Sequence, residues 1–384
     1  MELWENNRMN KKKEICVVTW YDSVNFGTCL QAYALSKTLK DLGYFPYICN
    51  NHKYFYGIRH PIYTMSNIIF KLYGLRKEKN DFLNARKEKN YYFAKKNNNI
   101  FIVNNREEYY EKINSTNVFI TGSDQIWNPN MVTPPFLLAM IAYRKDVKRI
   151  AYGSSIGTDI IPPNKKRMFK KYLSLFDSIG VRERNAVVEI EKIVKHTIQI
   201  RQVLDPTFLV EPQIYIDLAN QSSGFKCLSS ENYIICYFVG KANIYKENIH
   251  RFASEHNCKV LNIVGETIEK LECAINLFDV GVEDFLWLLI NAKYVVSDSF
   301  HASVFSLLFQ KQFLIFKRFK DDDIHSQNSR IYDLFTILNI PERLVDEYDN
   351  LERLLQCIDY QRINQILKNL IVESKIFLKD NISK

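Results

Sequence analysis

Five short polar clusters in this chain hold side chains able to do chemistry, and each adjoins an apolar run. "SDSFHASVFSLLF" (Ser297–Phe309) sets Asp298, Ser299 and His301 just past "YVV". An imidazole there exchanges a proton near neutral pH, which suits a general acid or base; a packed or capping histidine is the other reading. "TGSDQIWNP" (Thr121–Pro129) sets Asp124, Gln125, Trp127 and Asn128 behind a small Gly–Ser pair. Asp124 is placed to orient a sugar hydroxyl or act as a base, and Trp127 to stack on a sugar ring. Helix capping by Ser123 or Asp124, with Trp127 packed, is the alternative. "NFGT" contributes Asn25, Gly27 and Thr28. Its glycine lets backbone N–H groups approach an anion at a helix start, but it is not GxGxxG and gives dinucleotide binding little support. "VRER" carries Arg182 and Arg184. Their forks suit a carboxylate or phosphate, or else pair on the surface with Glu183 and Glu189. "HSQNSRIYDLF" (His325–Phe335) adds Asn328 and Arg330, as donors to an anion or as a helix cap with a solvated arginine. The other histidines lack metal spacing and no two cysteines are spaced CxxC, so neither a metal nor another cofactor is expected.

The elements that must position these clusters alternate. "EICVVTW" (Glu14–Trp20) reads as a buried strand, "YDSVNFGT" (Tyr21–Thr28) as a loop, and Cys29–Tyr44 as a helix with Leu35, Leu39 and Leu42 on one face. "FPYICN" supplies a second strand, which completes a βαβ unit and implies a parallel sheet. Residues 60–116 read as helices and an insertion. Further β-then-α units run to "RQVLDPTFLV" (Arg201–Val210), and a Ser/Gly-bearing stretch follows. A second β-then-α series starts at "YIICYFVG" (Tyr233–Gly240). The expected class is α/β, divided as a disordered lead-in (1–13), a first unit (14–210), a linker (211–230), a second unit (231–345) and C-terminal helices (346–384). Open parallel sheets bind ligands beyond the carboxyl ends of their strands. The polar clusters fall at such ends, so two facing sheets would gather them around one cleft.

The bulk numbers narrow the class. At 47% hydrophobic and 25% charged, 384 residues build sizeable cores without staples. The net charge of +9 suits an anionic substrate or membrane surface, or belongs to a solvated lysine-rich exterior with interleaved acids. No run approaches the ~20 apolar residues of a membrane helix, and the N-terminus lacks a signal peptide's apolar segment. The eight cysteines, several inside apolar runs, read as reduced. We expect a cytoplasmic protein without a nucleic-acid partner, with peripheral contact at the inner face of the cell membrane through the basic aromatic region 53–95 left open.

Taken in order, "NFGTCLQAYAL", "TGSDQIWNP", "AYGSSIG", "GVRERN", "LDPTFL", "VVSDSFHASVFSLLF" and "NSRIYDLF" resemble the polysaccharide pyruvyl transferase family from residue 25 to about 335. The resemblance implies two Rossmann-like domains facing a cleft in a glycosyltransferase-B-like arrangement. It implies phosphoenolpyruvate and a sugar acceptor, free or lipid-linked, as partners, with transfer of the enolpyruvyl group to give a pyruvate ketal. His301 matches the family's histidine and takes the acid/base or phosphate-contacting role; Asp124 orients the acceptor. Asn25, Gly27, Thr28, Gln125, Arg182, Ser299, Asn328 and Arg330 are the substrate-binding candidates. Thr28 stands where members often carry an acid, and Ser299 where they often carry a base. A nucleotide-sugar-dependent glycosyltransferase of the same architecture and a non-catalytic carbohydrate-binding member are the alternatives.

Overall fold

The computed structural model describes residues 13–49, 77–194, 198–320, 323 and 326–383. The expected lead-in up to residue 12, the part of the basic aromatic region before residue 77, and His325 lie outside the described residues. Apolar runs buried on both faces form strands that pair in parallel. The first sheet holds β1 (Glu14–Val18), β2 (Phe45–Ile48), β3 (Val118–Thr121), β4 (Lys148–Ser154), β5 (Ser178–Val181) and β6 (Gln199–Gln202), ordered β2-β1-β3-β4-β5-β6. The second holds β7 (Tyr233–Tyr237), β8 (Lys259–Ile263), β9 (Ile275–Leu277), β10 (Tyr294–Ser297), β11 (Gln312–Phe316) and β12 (Leu344–Val345), ordered β12-β11-β10-β7-β8-β9. The helices of the first half are α1 (Phe26–Asp41), α2 (Lys77–Asn97), α3 (Arg106–Ser115), α4 (Pro163–Leu173) and α5 (Arg184–Glu191). They continue with α6 (Pro212–Ala219), α7 (Lys246–Glu255), α8 (Val282–Asn291), α9 (Phe300–Leu308), α10 (Ser329–Leu338) and α11 (Tyr360–Ser383).

Each sheet reverses its winding once, between β1 and β3 in the first and between β7 and β10 in the second. Loops diverge at such a point and leave a crevice beyond the strand ends. The two crevices face each other, and the connections after β1, β3, β7 and β10 all reach one cavity.

Two expectations change. Helix α1 begins at Phe26, not Cys29, because the Asn25 side chain accepts from the Gly27 N–H at 3.0 Å while its own backbone stays extended. Gly27 and Thr28 therefore sit in the first helical turn instead of a loop. The stretch read as a linker contains α6, started by Pro212 at a position where its missing N–H costs nothing. Tyr215 and Leu218 of α6 bury in the same core as Leu286 and Leu289 of α8.

That core joins the halves. Phe26 of α1 stacks on Phe285 of α8 with ring centroids 4.7 Å apart and meets Tyr237 of β7 at 5.5 Å. Arg86 of α2 lies over Phe26 and donates to the carbonyls of Val264 at 2.6 Å and Phe278 at 3.0 Å, beyond β8 and β9. Helix α11 returns to the first sheet, where Phe377, Leu378 and Ile382 pack with Ile15 and Val17 of β1. No helix among the described residues is long and apolar enough to cross a membrane. Phe26→Ala is expected to lower stability by about 3–5 kcal/mol, read from the urea midpoint. A loss below about 1 kcal/mol would show that this aromatic seam does not hold the halves together.

Candidate active site

The cavity between the sheets measures about 460 Å³. The first sheet lines it with Trp20, Asn25 and Thr28 after β1 and Asp124 and Gln125 after β3. The second contributes Val239 after β7, Ser299, Phe300 and His301 after β10, Arg318 after β11 and Arg330 on α10.

His301 is the second residue of α9. Ser299 caps that helix, accepting from the Ala302 N–H at 3.4 Å, while its own N–H bonds the Ser297 hydroxyl at 3.1 Å. The imidazole rests against Gly27 of α1. A Cβ at Gly27 would fall 2.0 Å from His301 Nδ1 and 2.7 Å from His301 Cβ. Only glycine lets the starts of α1 and α9 come this close. The ring is buried, and its Nε2 lies 3.7 Å from Asp205 Oδ2 without a hydrogen-bond partner.

Asp124 occupies φ 71°, an uncommon backbone state for a residue with a side chain, costing roughly 1–3 kcal/mol. Several contacts hold it there. Thr28 Oγ1 donates to Oδ2 at 3.0 Å, Arg182 Nη2 to Oδ1 at 3.2 Å, and the Ser155 N–H to the backbone carbonyl at 2.9 Å. Burial pushes this carboxyl upward, but the charges of Arg182, His301 and Arg330 win and hold it below the usual range.

Arg182 gives its other Nη to Asp205 Oδ2 at 2.7 Å and lies over the Phe300 ring at 4.9 Å. Asp205 and Asp124 outweigh the desolvation of this buried guanidinium and keep it firmly charged. Asp205 itself, fully buried, also accepts from Ser123 Oγ at 3.1 Å, the Thr207 N–H at 3.0 Å and Thr207 Oγ1 at 2.6 Å. Burial would raise it, yet His301 and Arg182 carry it far below the ordinary carboxylate range.

Arg330, also near Phe300 at 5.6 Å, is differently placed. Burial, and then repulsion from Arg182, push its guanidinium down to about 9. It reaches the Gln125 amide, whose oxygen, turned toward it, accepts from Nη2 at 2.8 Å. Arg318 is held by Asp298, through Nε to Oδ2 at 3.2 Å and Nη2 to the backbone carbonyl at 2.9 Å. The same Asp298 carboxylate takes the N–H groups of Val239 and Gly240 at 2.7 and 2.8 Å, so one acid fixes both the β7 loop and a cavity arginine. Glu183, beneath this layer, accepts from the Ser155 hydroxyl, and burial raises its carboxyl.

The arrangement pairs an imidazole with two arginines and with the starts of α1, α9 and α10, all on one cavity. It suits an anion with more than one charged group and a proton transfer beside it. A sequence profile of polysaccharide pyruvyl transferases matches residues 25–318, most of the chain and most of the strands that build the cavity.

The chain belongs to the polysaccharide pyruvyl transferase family.

No curated protein matches the sequence. Among solved structures, a glycosyltransferase from Rickettsia africae ESF-5 superposes with a TM-score of 0.51 at 13% identity, covering 97% of this chain and 99% of that one. Trehalose-6-phosphate synthase OtsA superposes at 0.53 with 9% identity, covering 97% and 99%. At such identities the likeness shows the fold, and the fold is glycosyltransferase-B-like.

In this pyruvyl transferase family member, Asn25, Thr28, Asp124, Gln125, Ser299, His301 and Arg330 line the cavity. Gly27 stands behind His301, and Arg182 lies behind Asp124, its two Nη groups committed to carboxylates. Asn328 does not line the cavity: its amide donates to the Phe319 carbonyl at 2.7 Å and closes the loop ahead of α10. Trp127 is packed, with its indole N–H on the Phe136 carbonyl at 2.9 Å; half-buried Trp20 is the indole at the cavity. Sequence reasoning passed over Asp205, Phe300, Arg318 and Trp20. Asp205 had a signal, standing before Pro206 at a strand end; Arg318 carried no local signal. One grouping of metal-compatible spacing among the described residues, Glu255, His256 and Glu352, is not part of the cavity lining.

Gly27→Ala is expected to displace His301 and force the starts of α1 and α9 apart. The His301 imidazole resonances should move in NMR spectra and the melting temperature should fall, and an unchanged His301 spectrum would refute the contact.

Proposed function

We propose that the protein transfers the enolpyruvyl group of phosphoenolpyruvate to a sugar of a surface polysaccharide or its lipid-linked precursor, forming a pyruvate ketal and releasing phosphate. The observation that carries this reading is the convergence of His301, Arg318 and Arg330 with three helix starts on one cavity formed at both winding reversals. Family membership supports it independently.

Phosphoenolpyruvate presents a carboxylate and a phosphate about a small alkene. Arg330, whose charge burial has made costly, gains most from an incoming anion. Arg318 is the second fork, oriented by Asp298 before any ligand arrives. Arg182, expected to bind the donor directly, instead holds Asp124 and Asp205 in place.

Ketal formation balances as follows. A proton goes to the methylene carbon, which becomes the methyl group, and cationic character develops at the adjacent carbon. One sugar hydroxyl attacks that carbon; a second hydroxyl then replaces phosphate as the C–O bond to phosphate breaks. Two hydroxyl protons are released in all: one replaces the proton given to carbon, and the other leaves with inorganic phosphate. His301, on the cavity wall, takes the role of donating and recovering that proton. Asp124, kept ionised by its neighbours, orients an acceptor hydroxyl, and Trp20, which lines the cavity, is the aromatic side chain for the sugar to pack on.

The protein is expected to release phosphate from phosphoenolpyruvate when given a suitable oligosaccharide or lipid-linked sugar. His301→Ala should lower turnover by ~10²-fold or more. Arg318→Gln and Arg330→Gln should each raise the donor KM by about tenfold or more, as expected for a lost charged contact. Thermal stabilisation by a nucleotide sugar, with neither stabilisation nor phosphate release from phosphoenolpyruvate, would replace this reading with the glycosyltransferase one.

A further inference from the structure

We propose that Asp205 is a positioning residue that fixes the orientation and charge of the His301 imidazole, with Arg182 and Thr207 holding its carboxylate in place. The inference rests on the transferase reading above, with His301 as its acid and base.

The geometry begins in "LDPTFL". Asp205 ends the connection after β6, and the turn Pro206–Leu209 starts immediately beyond it. Its Oδ1 takes both Thr207 donors, which leaves Oδ2 for Arg182, Ser123 and the approach of His301. The carboxylate is fully buried and cannot rotate without breaking four hydrogen bonds. It comes from the first sheet, whereas His301 rides on a helix of the second. The 3.7 Å approach therefore crosses between the halves.

Charge gives the second argument. Charged groups that share the site with the ring are Asp205 after β6, Asp124 after β3, Arg182 and Glu183 after β5, Asp22 after β1, Glu266 after β8, Arg318 after β11 and Arg330 on α10. Arg182 lies between two carboxylates, Asp124 and Asp205, and Arg330 also acts on Asp124. Against its burial, His301 and Arg182 together hold the Asp205 carboxyl far below its ordinary range. The Nε2 atom is the edge turned to Asp205, and it has no other partner. Nδ1 lies on the side of Gly27 and the start of α1. A histidine acid of this kind is oriented through one nitrogen and reacts through the other.

The test is Asp205→Asn in the full chain, assayed by phosphate release from phosphoenolpyruvate across pH. We expect kcat to fall at least ~10-fold with the donor KM changed by less than about threefold. The limb of the profile that His301 governs should move to lower pH, because loss of the negative charge disfavours the imidazolium. The His301 imidazole titration followed by NMR should move the same way, and that readout needs no turnover. It separates failure of this inference from failure of the transferase reading. In a His301→Ala background, Asp205→Asn should cost clearly less than it does in the parent chain. Should Asp205→Asn not fold, Thr207→Val keeps the carboxylate, removes one anchor and is expected to lower kcat by a few fold only when His301 is present. An unshifted His301 titration in folded Asp205→Asn, or losses that add fully in the His301→Ala background, would overturn the proposal.

Discussion

The buried guanidinium of Arg182 is the interaction on which the rest of the site depends. Removing an ion from water costs several kcal/mol even after relaxation, and pairing must return it. Arg182 meets that demand with two carboxylates, one from the loop after β3 and one from the loop after β6. Those loops lie on opposite sides of β5, the strand Arg182 leaves. A single side chain thus fixes three strand ends of the first sheet against one another. Asp124 keeps its uncommon backbone state because it is tied from both sides, by Arg182 and by Thr28 of α1. The Phe300 ring lies near both Arg182 and Arg330, which carries the same order across to the second sheet.

The cavity walls come from two sheets, so their spacing must also be fixed. Apolar packing leads in this, with charged side chains adding to it. Phe26, the first residue of α1, is stacked against Phe285, and Gly27, the next residue, accepts the His301 ring. The residue that locks the halves and the one that admits the imidazole are neighbours in the chain. Helix α2 adds Arg86 across the same seam, and α11 returns from the second half to cover the first sheet. A cleft held at both ends in this way presents its cationic groups preorganised, which is what an electrostatic site requires.

Much of this was legible in the chain. Alternating apolar runs and amphipathic stretches implied two parallel sheets, and polar clusters at strand ends implied a cleft. Seven of the ten site candidates read from those clusters line the cavity. The remainder shows the limit of local reading. Arg182 looked like a ligand fork because "VRER" carries no trace of the two acids that claim it, 58 residues before and 23 residues after it. Nothing local marked Arg318, because its partner, Asp298, lies 20 residues earlier at a different strand end. Asn328 looked like an anion donor, but a nearby carbonyl takes its amide. The shift in the start of α1 has a local cause, the Asn25 cap, which a reading guided by leucine periodicity overlooked.

The two positions that depart from the family resemblance take on physical meaning here. An acid at position 28 would set a third carboxylate beside Asp124, near Asp205, with Arg182 already shared. Threonine instead donates a neutral hydrogen bond and steadies Asp124. Ser299, where a base is common, uses its hydroxyl to cap α9, and this leaves the start of that helix facing the cavity without a long side chain across it. The cation is supplied from another strand: Arg318, after β11, is brought to the same wall by Asp298, the residue immediately before Ser299. The positive charge that position 299 lacks is therefore present at the cavity, carried by a different backbone and oriented by a carboxylate one residue away.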